Sequence, residues 1–260
     1  SFPTRRSSDL VQLRAIRYFL GVHNKVPIPG LHGDMGWQKL KFRNYICVLR
    51  FWNRLINMDD NRLTKKIFKW DYELCNKNWS EDVKHILSDV DYDNIFTDVT
   101  ICDLEFLYSK ISNLQEIAWK AAVDSKPKLR TYALFKENVC TEKYVLSMLS
   151  RKQRSLLAQL RLGVLPLRIE TGRYRRLAVE QRICELCDLN VVEEELHFIF
   201  TCPLNGTIRP NLLRQVENSN VNFQTLSEIG KLKSMMQNNI FSLSKYIEAA
   251  WNIRTKHLFN

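Results

Sequence analysis

The 260-residue chain has no apolar run near the roughly 20 residues that cross a bilayer, so no membrane-spanning helix and no membrane partner is expected. It shows no signal peptide, and its seven cysteines are an odd number; together these argue against a disulfide framework and for a reducing, intracellular setting in the cytoplasm or nucleus. A Gly-rich phosphate loop, a Gly-x-Ser-x-Gly turn and a His-Glu-x-x-His helix are all missing, so no catalytic machinery is visible. There is no internal repeat and no low-complexity tract. Met58-Asp59-Asp60 imitates the paired aspartates of two-metal polymerases, but that motif needs a tight hairpin between apolar strands. Here the pair follows a helical pattern and precedes Asn61-Arg62, so it reads as a helix end and a turn.

With 45% hydrophobic and 11% aromatic residues, the chain can bury a substantial core in one or two domains. Helical periodicity dominates. Tyr45, Val48, Leu49, Trp52, Leu55 and Ile56 recur at three and four, opposite Arg43, Arg50, Arg54 and Asn57. Further helices are expected over 62–78, over 81–90 with Ser80 as N-cap, and after Thr100-x-x-Asp103, which has the shape of a capping box. Others are expected over 142–162, 207–217, 223–236 and 240–259, while 128–136 alternates loosely enough for a short extended piece. The fold class that follows is mainly α: a helical scaffold with a small CCHC zinc-knuckle-like unit and little or no sheet.

That unit is Cys184-x2-Cys187-x9-His197-x4-Cys202, three thiols and an imidazole at spacings one tetrahedral zinc ion can gather. The short gap turns Cys184 and Cys187 toward one point, and a helix or turn presents His197 with Cys202. The other four histidines and four cysteines are scattered singly. Buried cysteines without a role are the plain alternative. A redox pair is disfavoured because no βαβ pattern surrounds Cys184 and Cys187. Four protein ligands close the coordination shell, so the Zn2+ expected here is structural. Glu193, Glu194 and Glu195 either favour the positive end of a short helix carrying His197 or form solvated surface.

Net charge is +11, unevenly spread: residues 80–119 hold 2 basic and 9 acidic side chains, residues 120–182 hold 15 and 5. A basic segment beside a metal-stapled unit suits a polyphosphate, so RNA or DNA is the expected partner, against the alternative that Lys and Arg only solvate helix faces. Arg151, Arg154 and Arg161 fall within about 80° on a helix at 100° per residue, with Leu156, Leu157 and Leu160 assigned to the other side. Arg168, Arg173, Arg175, Arg176 and Arg182 follow, with Tyr174 available for base stacking.

Residues 154–174 (RSLLAQLRLGVLPLRIETGRY), followed by Arg182-Ile-Cys-Glu-Leu-Cys187 and the segment from Glu195 to Pro203, resemble the zinc-binding tail downstream of the polymerase domain in LINE-like, non-LTR retrotransposon proteins. Residues 14–37 and 49–65 resemble the same post-polymerase region. The resemblance implies that Cys184, Cys187, His197 and Cys202 are zinc ligands in an accessory piece of an RNA-directed DNA polymerase. The remainder of that polyprotein would be a partner, and no polymerase motif lies in this chain. Two other readings stay open: a module docking on the polymerase body without touching nucleic acid, or the product of a decayed element. The first ten residues resemble a translated sequencing adapter. The organisation expected is then 1–10 as artefact, 11–35 as a linker after a missing polymerase domain, 36–125 as a helical region, and 126–260 as the basic segment, the zinc-binding unit over about 164–205 and C-terminal helices.

Overall fold

The computed structural model describes residues 5–220 and 222–259. The chain is mainly helical, with 69% of its residues in helix, and no sheet forms among the described residues. Residues 1–4, part of the adapter-like stretch, lie outside the described residues. The helices are α1 (Arg5–Leu20), α2 (Ile28–Met35), α3 (Leu40–Ile56), α4 (Leu63–Leu74), α5 (Trp79–Ser88), α6 (Asp93–Thr97) and α7 (Leu104–Asp124), then α8 (Arg130–Phe135), α9 (Lys143–Leu146), α10 (Arg151–Arg161), α11 (Arg168–Tyr174), α12 (Arg209–Glu217), α13 (Glu228–Asn238) and α14 (Ile240–Phe259). No helix among the described residues is long and apolar enough to cross a membrane.

Two compact units form. The first comprises residues 38–118 with the first residues of α1, the second residues 10–37 and 119–260. In the first unit, Trp52 is fully buried, edge-on to Phe68 at 5.4 Å and stacked on Phe96 at 5.6 Å, and its indole N–H donates to the Thr100 carbonyl at 2.9 Å. The Met58–Asp60 segment is the turn expected, with Asp59 accepting from the Asn61 amide and Asp60 paired to Lys69. Two helix starts differ from expectation. Asn78, not Ser80, caps α5 by accepting from the Glu81 amide, while the Ser80 side chain is held by Asp71. Asp103, not Thr100, accepts from the amides of Glu105 and Phe106 at the start of α7. Both caps sit two to three residues from the first free amides, where a short side-chain oxygen reaches them.

The second unit overturns the expectation of a linker over 11–35. Leu13, Ile16 and Leu20 on α1 and Leu31 and Met35 on α2 are core residues, and the Trp119 indole donates to the Pro29 carbonyl at 2.8 Å. The 3-4 spacing of those apolar positions is a helix signature that belongs to this core. Gly33 lies so close to Tyr132 and Trp119 that a Cβ would sit 2.3 Å from the tyrosine hydroxyl. The boundary between units falls at Ala118/Trp119 within α7, not in the helix-to-basic transition over 125–128. Residues 130–135 are helical where an extended piece was expected, because Leu129, Tyr132 and Phe135 bury one face at a spacing of three. The helix expected over 142–162 is two, with Ser150 and Gln153 forming a capping box that starts α10. Gly163 ends it in the left-handed region at φ 63°, its missing Cβ replaced by the Lys128 carbonyl.

Candidate metal centre and basic surface

Cys184, Cys187, His197 and Cys202 converge, each offering one ligand atom within 4.8 Å of all the others. Local chain geometry explains how. Cys184 enters beside an antiparallel bridge between Ile183 and Val192, its amide donating to the Val191 carbonyl at 2.9 Å. The six residues between turn back through Asn190 at φ 52°, a conformation asparagine tolerates better than most residues. His197 and Cys202 are joined by a π-helical turn, with the Cys202 amide donating to the His197 carbonyl five residues back at 2.8 Å. An α-helical spacing would rotate positions i and i+5 apart; the wider turn keeps both on one side.

The wider turn leaves carbonyls without their usual helical partners, and side chains take them. Asn205 donates to Phe198, Tyr246 and Arg209 donate to Ile199, and Arg209 also donates to Cys202. His197 Nδ1 lies 2.9 Å from the Thr201 hydroxyl, which leaves Nε2 facing the cluster, 3.5 Å from Cys187 Sγ. Ligands at 2.0–2.3 Å from one tetrahedral ion stand roughly 3.5–3.8 Å from each other, so that pair already has coordination spacing. Burial pushes the Cys184 and Cys202 thiols up and the His197 imidazole down. All three shifts disfavour charge in this site. A neutral imidazole is the ligand form, and buried thiols need a cation beside them before they ionise. The donor set and its spacing therefore fit a metal ion.

Glu193 and Glu195 are neither helix-end charges nor solvated surface. Glu193 is buried and grips Arg254 of α14 through two hydrogen bonds of 2.8 and 2.9 Å while accepting from the Arg168 amide at 2.7 Å. Glu195 is buried with Arg130 at 2.7 Å and Thr131 at 2.9 Å. Glu194, half-buried, has its carboxyl pushed up by burial and then by Glu195. The segment carrying His197 is thus clamped from both sides by ion pairs from distant helices. No local pattern announces such pairs.

The expected basic residues separate into two groups. Arg161 does not belong to an exposed face and is corrected here: it is buried, bound to Asp34 at 2.9 and 3.0 Å and to Glu142 at 3.0 Å, between the rings of Phe135 and Tyr144. The helical wheel holds the reason. Arg161 sits about 40° from Leu157, at the edge of the buried stripe and not opposite it. Arg182 is spent on backbone, donating to the carbonyls of Leu177 and Ile169. Arg168 pairs with Glu185 at 2.6 Å, and both Arg173 and Tyr174 reach Glu170 at 3.2 Å. Arg151, Arg175 and Arg176 are exposed and have no carboxylate partner among the described residues, while half-buried Arg154 lies over Phe19.

Arg17 and Tyr18 of α1 were not singled out from sequence. They line a shallow cleft of about 560 Å³ with Arg151, Lys152 and Ser155 of α10, and the Arg151 guanidinium lies 5.1 Å over the Tyr18 ring. The Ser155 hydroxyl closes the floor by donating to the Gly21 carbonyl at 2.6 Å, and Arg17 Nε is buried without a hydrogen-bond partner among the described residues. The available signal was only the basic, aromatic-bearing face of α1. The chain matches no family model, no curated protein and no solved structure.

Proposed function

We propose that this chain is a nucleic-acid-binding accessory region of a non-LTR retrotransposon reverse transcriptase, held together by one structural Zn2+ on Cys184, Cys187, His197 and Cys202. Three thiolates and an imidazole are a donor set that zinc favours over harder cations, and four protein ligands leave no position for substrate. The ion supplies cross-linking between the bridge that carries Cys184 and the turn that carries Cys202. The residues of the chain do the binding.

The observation that carries the nucleic-acid reading is a cationic surface that the protein does not neutralise itself. Net charge is +11, and Arg151, Arg175 and Arg176 face solvent unpaired, with Tyr18 and Tyr174 exposed beside arginines. Guanidinium groups meet phosphates, and exposed rings stack on unpaired bases. Binding to single-stranded RNA and to DNA, followed across a salt series, tests it: the logarithm of the affinity should fall with log[salt] with a slope of about −0.7 per phosphate contact on single strands and −0.9 on duplex. A flat dependence refutes the reading. Zinc is tested by metal analysis of purified protein, which should give one ion per chain.

A further inference from the structure

Helix α4 of the first unit carries two apolar faces, and only one of them is used. Inward it turns Lys65, Phe68 and Tyr72. Phe68 packs on Trp52, the Lys65 ammonium donates to the carbonyls of Leu55 and Ile56 at 2.8 Å, and the Tyr72 hydroxyl donates to that of Phe96 at 2.9 Å. Outward stand Leu63, Ile67, Trp70 and Leu74, which are 72, 53, 63 and 55% exposed. Their steps of four, three and four place all of them within about 60° of one another at 100° per residue. Exposed apolar residues scattered singly need no explanation, but four large ones in one continuous stripe mark a contact surface. The spacing is the alternating a/d pattern of a two-helix seam.

We propose that this stripe is a self-association surface, on which α4 of one molecule packs antiparallel against α4 of a second copy. Charge along its edge carries the choice of partner and of direction. Lys66 and Glu73 lie on the same edge of the stripe, seven residues apart; both are exposed, and neither forms an ion pair among the described residues. In an antiparallel pair like edges meet, so Lys66 of each copy faces Glu73 of the other, and the contact forms twice about a two-fold axis. Leu63 then layers with Leu74 of the second copy and Ile67 with its Trp70. A parallel pair would direct Lys66 to Asp71 instead, whose carboxylate already accepts from the Ser80 amide and hydroxyl, and would leave Glu73 unmatched. Opposed helix dipoles also favour the antiparallel arrangement. Covering both stripes removes on the order of 1,000 Å² from water, the low end for a specific interface, so the dimer is a weak one.

Sedimentation equilibrium of the full chain from micromolar to millimolar concentration tests this. A monomer giving way to a dimer, with no larger species, is the result expected of a closed two-fold contact. Ile67→Lys and Trp70→Ser change exposed positions, so helical circular dichroism should be retained while dimerisation weakens at least tenfold. Lys66→Glu alone should weaken it about three- to tenfold, and K66E/E73K should restore it, because the double exchange rebuilds both antiparallel contacts. A chain that stays monomeric to millimolar concentration overturns the proposal, as does a dimer indifferent to Ile67→Lys. Failure of the double exchange to rescue overturns the antiparallel register.

Discussion

The two units solve the same problem, a helical core, by different means. In the first, rings do the packing: Trp52 touches Phe68, Tyr72, Trp79 and Phe96, and the buried ammonium of Lys65 donates to the Leu55 and Ile56 carbonyls and lies over the Phe68 ring. In the second, charge is taken inside. Asp34 with Arg161, Glu193 with Arg254 and Glu195 with Arg130 all lie in or under a core made mainly of aliphatic side chains, with Trp119, Tyr132, Tyr144 and Tyr246 among them. A buried ion pair adds little net stability over an apolar replacement of the same shape, yet removing one partner is costly. What such pairs contribute is position. The second unit must bring three cysteines and a histidine that could hold a metal ion to one point, and directional hydrogen bonds place a chain segment more narrowly than ring packing does.

Five experiments sharpen or break that contrast. The largest effect should follow loss of the metal: Cys202→Ser or a strong chelator removes apparent binding energy on the order of 10 kcal/mol and should open residues 164–205 to protease and hydrogen exchange. The tryptophan signal of the first unit should stay native, and simultaneous loss of both units would show that they are not separate in stability. Next, Asp34→Ala should cost about 3–5 kcal/mol in denaturant unfolding, because it leaves the buried Arg161 guanidinium with Glu142 alone and the buried Tyr144 hydroxyl without its acceptor. Trp52→Ala should cost a similar 3–5 kcal/mol by leaving a cavity, but in the first unit alone. If Asp34→Ala is as mild as a surface change, the second core does not depend on its charges.

A smaller effect belongs to the exposed arginines. Arg175→Ala with Arg176→Ala should change stability by less than about 0.5 kcal/mol, while weakening nucleic-acid binding and lowering the salt slope by about one per residue. Arg161→Lys should do the reverse, costing stability and leaving the slope unchanged. The smallest effect is in thiol chemistry. Burial pushes the Cys102 thiol up to about 11, whereas Cys47 in the same unit is exposed. A maleimide at pH 8 should label Cys47 quickly and Cys102 only on unfolding. Since the unfolded Cys102 thiol ionises at lower pH than the folded one, its share of the first unit's stability should decline as pH rises from about 9 toward 11. Equal labelling of the two would contradict the buried assignment.

Much of this was legible in the chain. Tyr45, Leu49, Trp52 and Leu55 reported α3 by spacing alone, and the four residues of the Cys/His cluster were named by theirs, because both signals act over a few residues. Some local choices were not. Which of several nearby polar residues caps a helix depends on where the first turn starts and on what else claims each side chain, so Asn78 displaced Ser80, which Asp71 holds, and Asp103 displaced Thr100. The helical 130–135 was decided by which side chains the core accepted, whereas the break over 142–162 carried a local mark in the Ser150 and Gln153 capping box.

The sequence by itself determined a helical chain, an excess of positive charge and a Cys/His cluster that could hold a metal ion, since periodicity, composition and close spacing are properties of neighbours. Only the tertiary structure decided which charges remain free for a partner. Arg161 was withdrawn into the core by Asp34, 127 residues away, and Glu193 was claimed by Arg254, 61 residues on. Such pairings form when separate helices close on one another. A carboxylate that far along the chain leaves no mark on the pattern around its arginine.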